Sequence, residues 1–248
     1  MKKIAFSLIV GALFLGNSSH LHAQILNGSF TTGDFTDWNT VGGSSGGPQV
    51  VMSGPTPPLG ITTQAFVQST DADFSLSISA SAATLDAALG VTLPSTTNGG
   101  NFLYPPGPFS PTNGQAIYQT FSVGAQATLS FAYSFQTNDY FPYDSTGYVL
   151  DGVYTQLASP PPFGTPSPDS APGFAYGTPY TTLSLMLNPG THTFGFVAYN
   201  TNDEYSSSAL YVTDVSATTP EPREWQLMLL GCAGLLLARK FRSKLSAI

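Results

Sequence analysis

Between its two ends, this sequence has no basic side chain except one histidine. All seven Lys and Arg residues lie near the termini, and residues 24–219 hold 12 of the 14 acids, which gives that region a formal charge of −12. Proteins bind nucleic acids by neutralising phosphates with Lys and Arg, so this region cannot bind nucleic acid or phosphate through basic side chains. Its carboxylates must be solvated, hydrogen-bonded to backbone groups or bound to cations.

Cysteine and histidine are equally scarce. The single cysteine, Cys232, lies near the C-terminus, so residues 24–219 have no disulfide, thiolate nucleophile or Cys metal site. His192 is the only histidine in that region, and no G-x-S-x-G nucleophile elbow accompanies it. The sequence therefore predicts a domain that is not an enzyme.

One enzymatic alternative stays open, because a glycoside hydrolase needs only two carboxylates a fixed distance apart. The candidate pairs are Asp71 with Asp73 and Asp203 with Glu204. Neither pair is distinguishable by sequence from solvated acids in turns.

The N-terminus has the pattern of a secretory signal peptide. Two lysines precede an apolar run from Ile4 to Leu15, and the small residue Ala23 follows a short polar stretch. The apolar run is shorter than the ~20 residues that a membrane-spanning helix needs. We therefore predict a signal helix in residues 1–23 and a mature chain that begins at Gln24, with an uncleaved anchor as the alternative.

The C-terminus combines a hydrophobic helix with a basic tail. Residues 225–238 contain no charged side chain, and a basic tail, residues 239–244, follows at once. Such a tail stays on the cytoplasmic side of a membrane, which places the body of the protein outside. Immediately before the helix, two prolines around Glu221 keep the chain extended, as a protease substrate must be.

Residues 218–248 resemble the PEP-CTERM sorting signal of Gram-negative bacteria that make exopolysaccharide. The three parts stand in the order of that signal: the triplet Pro220, Glu221 and Pro222, the hydrophobic helix, and the basic residues Arg239, Lys240 and Arg242. The resemblance implies recognition by an exosortase-type membrane protease, brief residence in the inner membrane, and transfer to the cell surface or extracellular matrix. The alternative is a simple tail anchor that follows a proline-rich stop.

Residues 24–217 have the alternation of β-strands rather than helical periodicity. The clearest strand is Ala127–Phe135, in which Leu129 and Phe131 share one face. Further predicted strands are Phe74–Ala80, Gln115–Val123, Gly147–Leu157, Thr181–Leu187, Thr191–Tyr199 and Ala209–Val215. The Asn188-Pro189-Gly190 turn predicts that its two neighbouring strands pair. We expect an all-β, antiparallel, two-sheet β-sandwich resembling a jelly roll.

Three stretches rich in Gly, Pro, Ser and Thr are predicted as long surface loops: Gly42–Gly60, Pro94–Gly114 and Ser159–Pro179. Aromatic side chains on such loops can stack on sugar rings. The candidate ligand-binding aromatics are Tyr104, Phe109, Phe163 and Tyr176. The alternative is that these rings pack back onto the sandwich.

The opening Asn27-Gly28-Ser29-Phe30, with Gly33-Asp34-Phe35 and Trp38, resembles the start of secreted galactose-binding-like and carbohydrate-binding β-sandwich modules. In that fold an acid after the opening Phe and an Asp in the last strand can hold a structural Ca²⁺. Here Thr31 stands at the usual acid position, which leaves Asp34 and Asp214 as candidate calcium ligands. No other cofactor is predicted, and Trp38 is expected in the core.

The features above predict an exported, exosortase-processed cell-surface or biofilm-matrix protein. Its non-catalytic β-sandwich is predicted to bind exopolysaccharide. A structural or adhesive surface protein without a discrete ligand is the alternative, and the two differ in whether polysaccharide retains the protein. The charge of the domain favours neutral glycans or contacts bridged by Ca²⁺.

Overall fold

The computed structural model describes residues 25–43, 46–58, 60–69, 78–98, 107–139, 143–161, 169–202 and 206–219. Within these ranges the chain forms 14 strands and one helix, α1 (Ala82–Leu89). The strands are β1 (Asn39–Val41), β2 (Gln49–Val51), β3 (Gln64–Gln68), β4 (Ala80–Ser81), β5 (Thr96–Asn98), β6 (Gly107–Phe109), β7 (Pro111–Val123), β8 (Ala127–Thr137), β9 (Asp144–Leu150), β10 (Val153–Ala158), β11 (Tyr176–Gly177), β12 (Thr181–Leu187), β13 (Gly190–Thr201) and β14 (Ser208–Thr218).

Two six-stranded antiparallel sheets make up the domain. Sheet A has the order β1-β7-β13-β9-β10, with β4 also paired to β7. Sheet B has the order β11-β8-β14-β3-β2, with β12 also paired to β8, while β5 and β6 form a small separate sheet. The predicted all-β, two-sheet antiparallel sandwich is confirmed.

The core lies between the sheets because apolar side chains alternate along their central strands. Leu129 and Phe131 of β8 and Phe194 and Phe196 of β13 are fully buried there. The rings of Phe131 and Phe196 meet edge to face, with 5.0 Å between their centroids. Burial of each such side chain contributes about 1.5–3 kcal/mol, so these central strands hold the two sheets together.

The opening segment, residues 25–38, packs against this core. Trp38 is 7% exposed and its indole Nε1 donates to the Leu26 carbonyl at 3.1 Å. Gln119 of β7 bonds both the N–H and the carbonyl of Leu26, at 3.0 and 3.1 Å. The predicted core position of Trp38 is therefore confirmed.

The predicted pairing across Asn188-Pro189-Gly190 was wrong. β12 pairs with β8 in sheet B, whereas β13 pairs with β7 and β9 in sheet A. The turn therefore carries the chain from one sheet to the other. The neighbouring connection from Val123 to Ala127 makes the same crossing, so the two turns lie side by side at one corner of the sandwich.

The predicted single strand Gly147–Leu157 is a hairpin. Asp151 and Gly152 have φ values of 51° and 76° and connect β9 to β10. Asp-Gly favours this turn because both positions need positive φ. Asp151 thus lies in a turn, contrary to its predicted place within a strand.

Two further differences concern short elements. The predicted loop Pro94–Gly114 contains β5, β6 and the start of β7. Helix α1 was not predicted; Ser81 caps its N-terminus and Gly90, at φ 64°, ends it. Its eight residues bury only Leu85 and Leu89, so the helical periodicity is too brief to stand out in the sequence.

The signal peptide, the Pro-Glu-Pro triplet, the hydrophobic helix and the basic tail lie outside the described residues, as does most of the predicted strand Phe74–Ala80. In the described part of the chain, no helix has the length and apolar character that crossing a membrane requires. The predicted division at residues 23 and 217 stays a prediction.

His192 connects the β9–β10 turn to the corner after β12. Its Nδ1 lies 2.7 Å from Asp151 Oδ2, and its Nε2 lies 2.8 Å from the Asn188 carbonyl oxygen. Both neighbours are acceptors, so only the doubly protonated ring satisfies both contacts. Burial opposes this charge, but the bonds to Asp151 and Asn188 and the Asp151 charge outweigh it and raise the pKa of His192.

This contact predicts a stability that depends on pH. A raised folded-state pKa stabilises the fold below the unfolded value of about 6.5, and this contribution is lost as pH rises through the folded-state value. Because Asp151 is half exposed, we expect about 1 kcal/mol or less. Urea unfolding between about pH 6 and pH 9 should show this loss in the wild type.

His192→Gln should remove that slope, and Asp151→Asn should reduce it. His192 is the only histidine of residues 24–219, so other side chains of this region contribute little over that interval. An unchanged slope in His192→Gln would show that the contact contributes nothing to folding.

Candidate functional site

An open cleft lies beside sheet B, between the turn after β2 and the segment that precedes β12. Its volume is about 350 Å³, near the lower end of the range of about 300–1,000 Å³ for ligand sites. Proline rims it at Pro55, Pro172 and Pro179. The remaining lining residues are mostly polar or small: Gly54, Thr56, Asp169, Ser170, Ala171, Thr178 and Tyr180.

One buried amide holds the wall formed by residues 169–178. Gln136 of β8 is 0% exposed. Its Oε1 accepts from Ala171 N at 2.7 Å, and its Nε2 lies 2.9 Å from Ser134 Oγ and 3.4 Å from the Asp169 carbonyl oxygen. Gly177 allows this approach, because a Cβ there would lie 2.2 Å from Gln136 Oε1.

The same strand fixes the rest of the wall. The Thr178 backbone N–H donates to the Phe135 carbonyl at 2.9 Å, and Ser134 Oγ donates to the Thr178 carbonyl at 2.7 Å. Asn138 accepts from Ala175 N and donates to the Gly173 carbonyl, each at 2.8 Å. The polar face of the end of β8 thus orders a segment that has few regular strand contacts of its own.

The opposite wall, residues 54–56, is positioned through contacts that involve Tyr180 and Tyr211. The Tyr180 hydroxyl donates to Gln64 Oε1, and Gln64 Nε2 donates to the Ser53 carbonyl at 2.8 Å. Gly54 has φ 125°, and a Cβ there would lie 2.5 Å from Tyr211 Cε1. Glycine is therefore required for the turn to lie against this ring.

The tyrosine hydroxyls stay neutral at physiological pH. Burial raises the pKa of Tyr211 to about 12, and burial together with the nearby Tyr211 raises the pKa of Tyr180 well above its usual value. The described lining of the cleft therefore presents hydroxyl groups, the Asp169 carboxylate and part of an aromatic ring, and it contains no Lys, Arg or His. Such a surface suits a hydroxyl-rich, uncharged ligand.

The structure places two of the four predicted aromatics. Tyr176 is half buried in β11, opposite Thr137, within the ordered wall segment. Phe109 is 6% exposed and packs edge to face on Tyr143, with 5.7 Å between centroids. Its burial matches the alternative that loop aromatics pack back onto the sandwich. Tyr104 and Phe163 lie outside the described residues.

Sequence reasoning missed Tyr180, Asp169 and Thr56. Two of the predicted loops, Gly42–Gly60 and Ser159–Pro179, supply most of the lining. Tyr180 follows directly after the second of them. A useful signal was present, since prolines flank both walls and limit their backbone freedom, but nothing in the sequence showed that the two loops would meet.

The predicted calcium ligands lie in neighbouring segments. Asp214 is exposed at the bulge in β14, and the next residue, Val215, donates its N–H to the Gly28 carbonyl at 3.0 Å. Asp34 Oδ1 accepts from Thr36 N and Thr32 Oγ1, and bonds from Thr36 and Thr32 hold the pKa of its carboxyl below the usual value.

Within the described ranges, Asn27 Oδ1 of the same opening segment is buried without a hydrogen-bond partner. Among the described residues, however, no three His, Cys, Asp or Glu side chains come together as a metal site. Calcium at Asp34 and Asp214 stays a prediction.

No protein-family model matches this chain, and no curated protein matches it. Among solved structures, the chain is similar to TmCBM61 in complex with beta-1,4-galactotriose, at 8% identity and a TM-score of 0.40, over 79% of this chain and 97% of the other. It is also similar to the K3 cleaved adhesin domain of Lys-gingipain from Porphyromonas gingivalis w83, at 15% identity and a TM-score of 0.41, over 79% and 100%.

A third similar structure is a family 35 carbohydrate binding module from an environmental isolate, at 12% identity and a TM-score of 0.25, over 51% of this chain and 88% of the other. At such identities the likeness concerns the β-sandwich fold alone.

The role of Gln136 is testable by replacing its amide with an apolar group of similar size. Gln136→Leu leaves the buried Ala171 N–H without its acceptor and removes the amide donor that lies near Ser134 Oγ and the Asp169 carbonyl. Each buried polar group left unsatisfied costs about 1–3 kcal/mol. We expect the free energy of unfolding in urea to fall by about 2–4 kcal/mol. Asn138→Ala, whose bonds are exposed, should cost less; equal losses would contradict the central role of Gln136.

Proposed function

We propose that residues 24–219 form a non-catalytic domain that binds exopolysaccharide in the cleft between residues 54–56 and 169–180. The observation that carries this proposal is the lining itself: hydroxyl groups, the Asp169 carboxylate and the Tyr180 ring on walls that the sandwich holds rigidly. Sugars are bound by such hydrogen-bonding groups together with an aromatic face.

The negative charge of the domain favours uncharged ligands. Residues 24–219 carry a formal charge of −12 with no Lys or Arg, so an anionic polymer is repelled at low salt. Neutral glycans avoid this repulsion. The domain is therefore proposed to bind neutral polysaccharide, or acidic polysaccharide only through bridging cations.

The tail of the chain supplies the setting for this binding. The resemblance of residues 218–248 to a PEP-CTERM signal supports export, processing by an exosortase-type protease near Pro220-Glu221-Pro222, and residence at the cell surface or in the matrix of a Gram-negative bacterium. A protein retained there meets exopolysaccharide at high concentration.

The binding proposal is tested by isothermal titration of the full-length chain with neutral oligosaccharides of galactose, glucose or mannose. Replacing Thr56, Asp169 and Ser170 together with alanine removes exposed polar groups from both walls. We expect at least a roughly tenfold loss of affinity, because each lost hydrogen bond contributes about 0.5–1.5 kcal/mol and more for a charged group.

The matched control is Thr155→Ala together with Gln156→Ala on exposed positions of β10, in the other sheet. This control should bind like the wild type. Equal affinity for all three proteins would place any glycan binding elsewhere, and the absence of binding to any neutral glycan would favour the structural or adhesive alternative.

Sorting is tested by intact mass of the protein from the medium and the envelope of a producing bacterium. The wild type should yield a form that ends near residue 220, because the extended triplet fits a protease cleft. Replacing Pro220, Glu221 and Pro222 with alanine should abolish that form. A wild-type protein that retains Lys244 in both fractions would contradict processing and leave a tail-anchored protein.

A further inference from the structure

The inter-sheet core is apolar along most of its length but becomes polar at one end. The side chains at this end come from both sheets and are at most 6% exposed. We call them the polar end cluster: Ser69, Asn113, Gln115, Thr137, Asp144, Asn200 and Ser208. They continue the inward-facing alternation of their strands; Asn200, for example, follows Phe196 and Ala198 on the core side of β13.

Hydrogen bonds across this cluster join the sheets. Asp144 Oδ2 accepts from Ser69 Oγ at 3.1 Å, and Ser69 Oγ accepts from Ser208 N at 3.0 Å. The hydroxyls of Ser208 and Thr137 lie 2.6 Å apart. The Asp144 carboxyl of sheet A is thus bonded to the sheet B side at this end, and so is Gln115 of sheet A, whose Oε1 accepts from Gln68 N at 3.2 Å.

No basic side chain of the domain can balance this carboxyl. Asp144 is 0% exposed, and residues 24–219 contain no Lys or Arg. His192 stands eight residues before Asn200 on β13, which is about 26 Å along a strand. A buried charge is costly unless an opposite charge compensates it.

Asn200 adds a second oxygen at the same place. It stands directly opposite Asp144 in the pairing of β13 with β9. Its Nδ2 donates to Asn113 Oδ1 at 3.1 Å, while its own Oδ1 is fully buried and has no hydrogen-bond partner in the described part of the chain. Side chains opposite each other on antiparallel strands have Cβ atoms about 4.5–5.5 Å apart, so one small ion can reach both.

A second carboxyl lies close by along the chain. Asp139 is 9% exposed, and its backbone N–H donates to Thr137 Oγ1 at 2.8 Å. This set of two carboxyls and one amide oxygen has fewer than three His, Cys, Asp or Glu side chains, so it agrees with the lack of such a cluster among the described residues. These groups are nevertheless the oxygen ligands that Ca²⁺ takes in proteins, alongside backbone carbonyls and water.

We propose that the polar end cluster binds one Ca²⁺ ion through Asp144 and Asn200, with Asp139 as a further carboxylate ligand. The ion compensates the buried charge and gives the Asn200 amide oxygen a partner. It also ties the two sheets together at this end, so the stability of the domain depends on calcium. This site is separate from the predicted ligands Asp34 and Asp214, and it does not depend on glycan binding.

The test compares the melting temperature of the full-length chain in EGTA and in CaCl2 at about 5 mM, above the Kd of about 10⁻⁴–10⁻³ M common in extracellular calcium modules. For the wild type we expect calcium to raise Tm by about 4 °C or more. Isothermal titration with CaCl2 should give one ion per chain at this site. Asp144→Asn should abolish both effects.

Asn200→Asp keeps the test decisive if Asp144→Asn does not fold. It places a second carboxylate beside Asp144, so Tm should fall in EGTA and calcium should raise it by more than in the wild type. If the cluster holds only water, calcium leaves the destabilised variant unchanged, and the proposal is wrong.

Asp34→Asn combined with Asp214→Asn is the matched control, and it should keep the calcium response. Loss of the response in this control, with Asp144→Asn unaffected, would assign calcium to the opening segment and overturn the proposal. So would a wild-type Tm that is the same in EGTA and CaCl2.

Discussion

The absence of Lys and Arg from residues 24–219 determines how this domain is held together. Long basic side chains, which in many proteins reach across a surface to carboxylates and carbonyls, are missing here. Buried glutamines make the long-range hydrogen bonds instead. Four glutamines are at most 4% exposed: Gln64, Gln115, Gln119 and Gln136. Each of them bonds a backbone group or a side chain that is distant in sequence.

Each glutamine attaches a different irregular segment to a strand. Gln119 holds the opening segment at Leu26 and Asp37, and Gln115 bonds Gln68 N and the Ile78 carbonyl. Gln64 and Gln136 hold the two walls of the cleft. A neutral amide donates and accepts at once and has no charge to compensate, so it suits a domain without basic side chains.

The cleft follows from this arrangement. Its walls are irregular, yet Gln136, Ser134 and Asn138 order one of them on β8, and the packing of Gly54 against Tyr211 positions the other. Prolines on both rims further limit backbone freedom. Walls ordered in advance lose less entropy when a flexible, hydroxyl-rich ligand binds.

Alternation of apolar and polar residues was sufficient to predict most long strands and the two-sheet sandwich. It worked best for β8, where Leu129 and Phe131 face the core while Ser130 and Ser134 face away from it. It could not show whether consecutive strands pair, because a short turn serves equally to close a hairpin or to cross between sheets, as at Asn188-Pro189-Gly190.

The site was less predictable than the fold. The two loops that form the cleft were identified by composition, but their meeting depends on side-chain bonds such as Gln136 to Ala171, over 35 residues of sequence. Phe109 illustrates the limit of composition. A loop aromatic is equally suited to sugar stacking and to packing on Tyr143, and only the fold distinguishes these roles.

The most direct test of the central claim, that the cleft is a glycan site, is a map of backbone amide chemical shifts by NMR during titration with neutral oligosaccharides. Binding in the cleft predicts shifts concentrated at residues 54–56 and 169–180, with β9, β10 and the polar end cluster unchanged. Saturable shifts confined to another surface, or none with any neutral glycan, would contradict the claim.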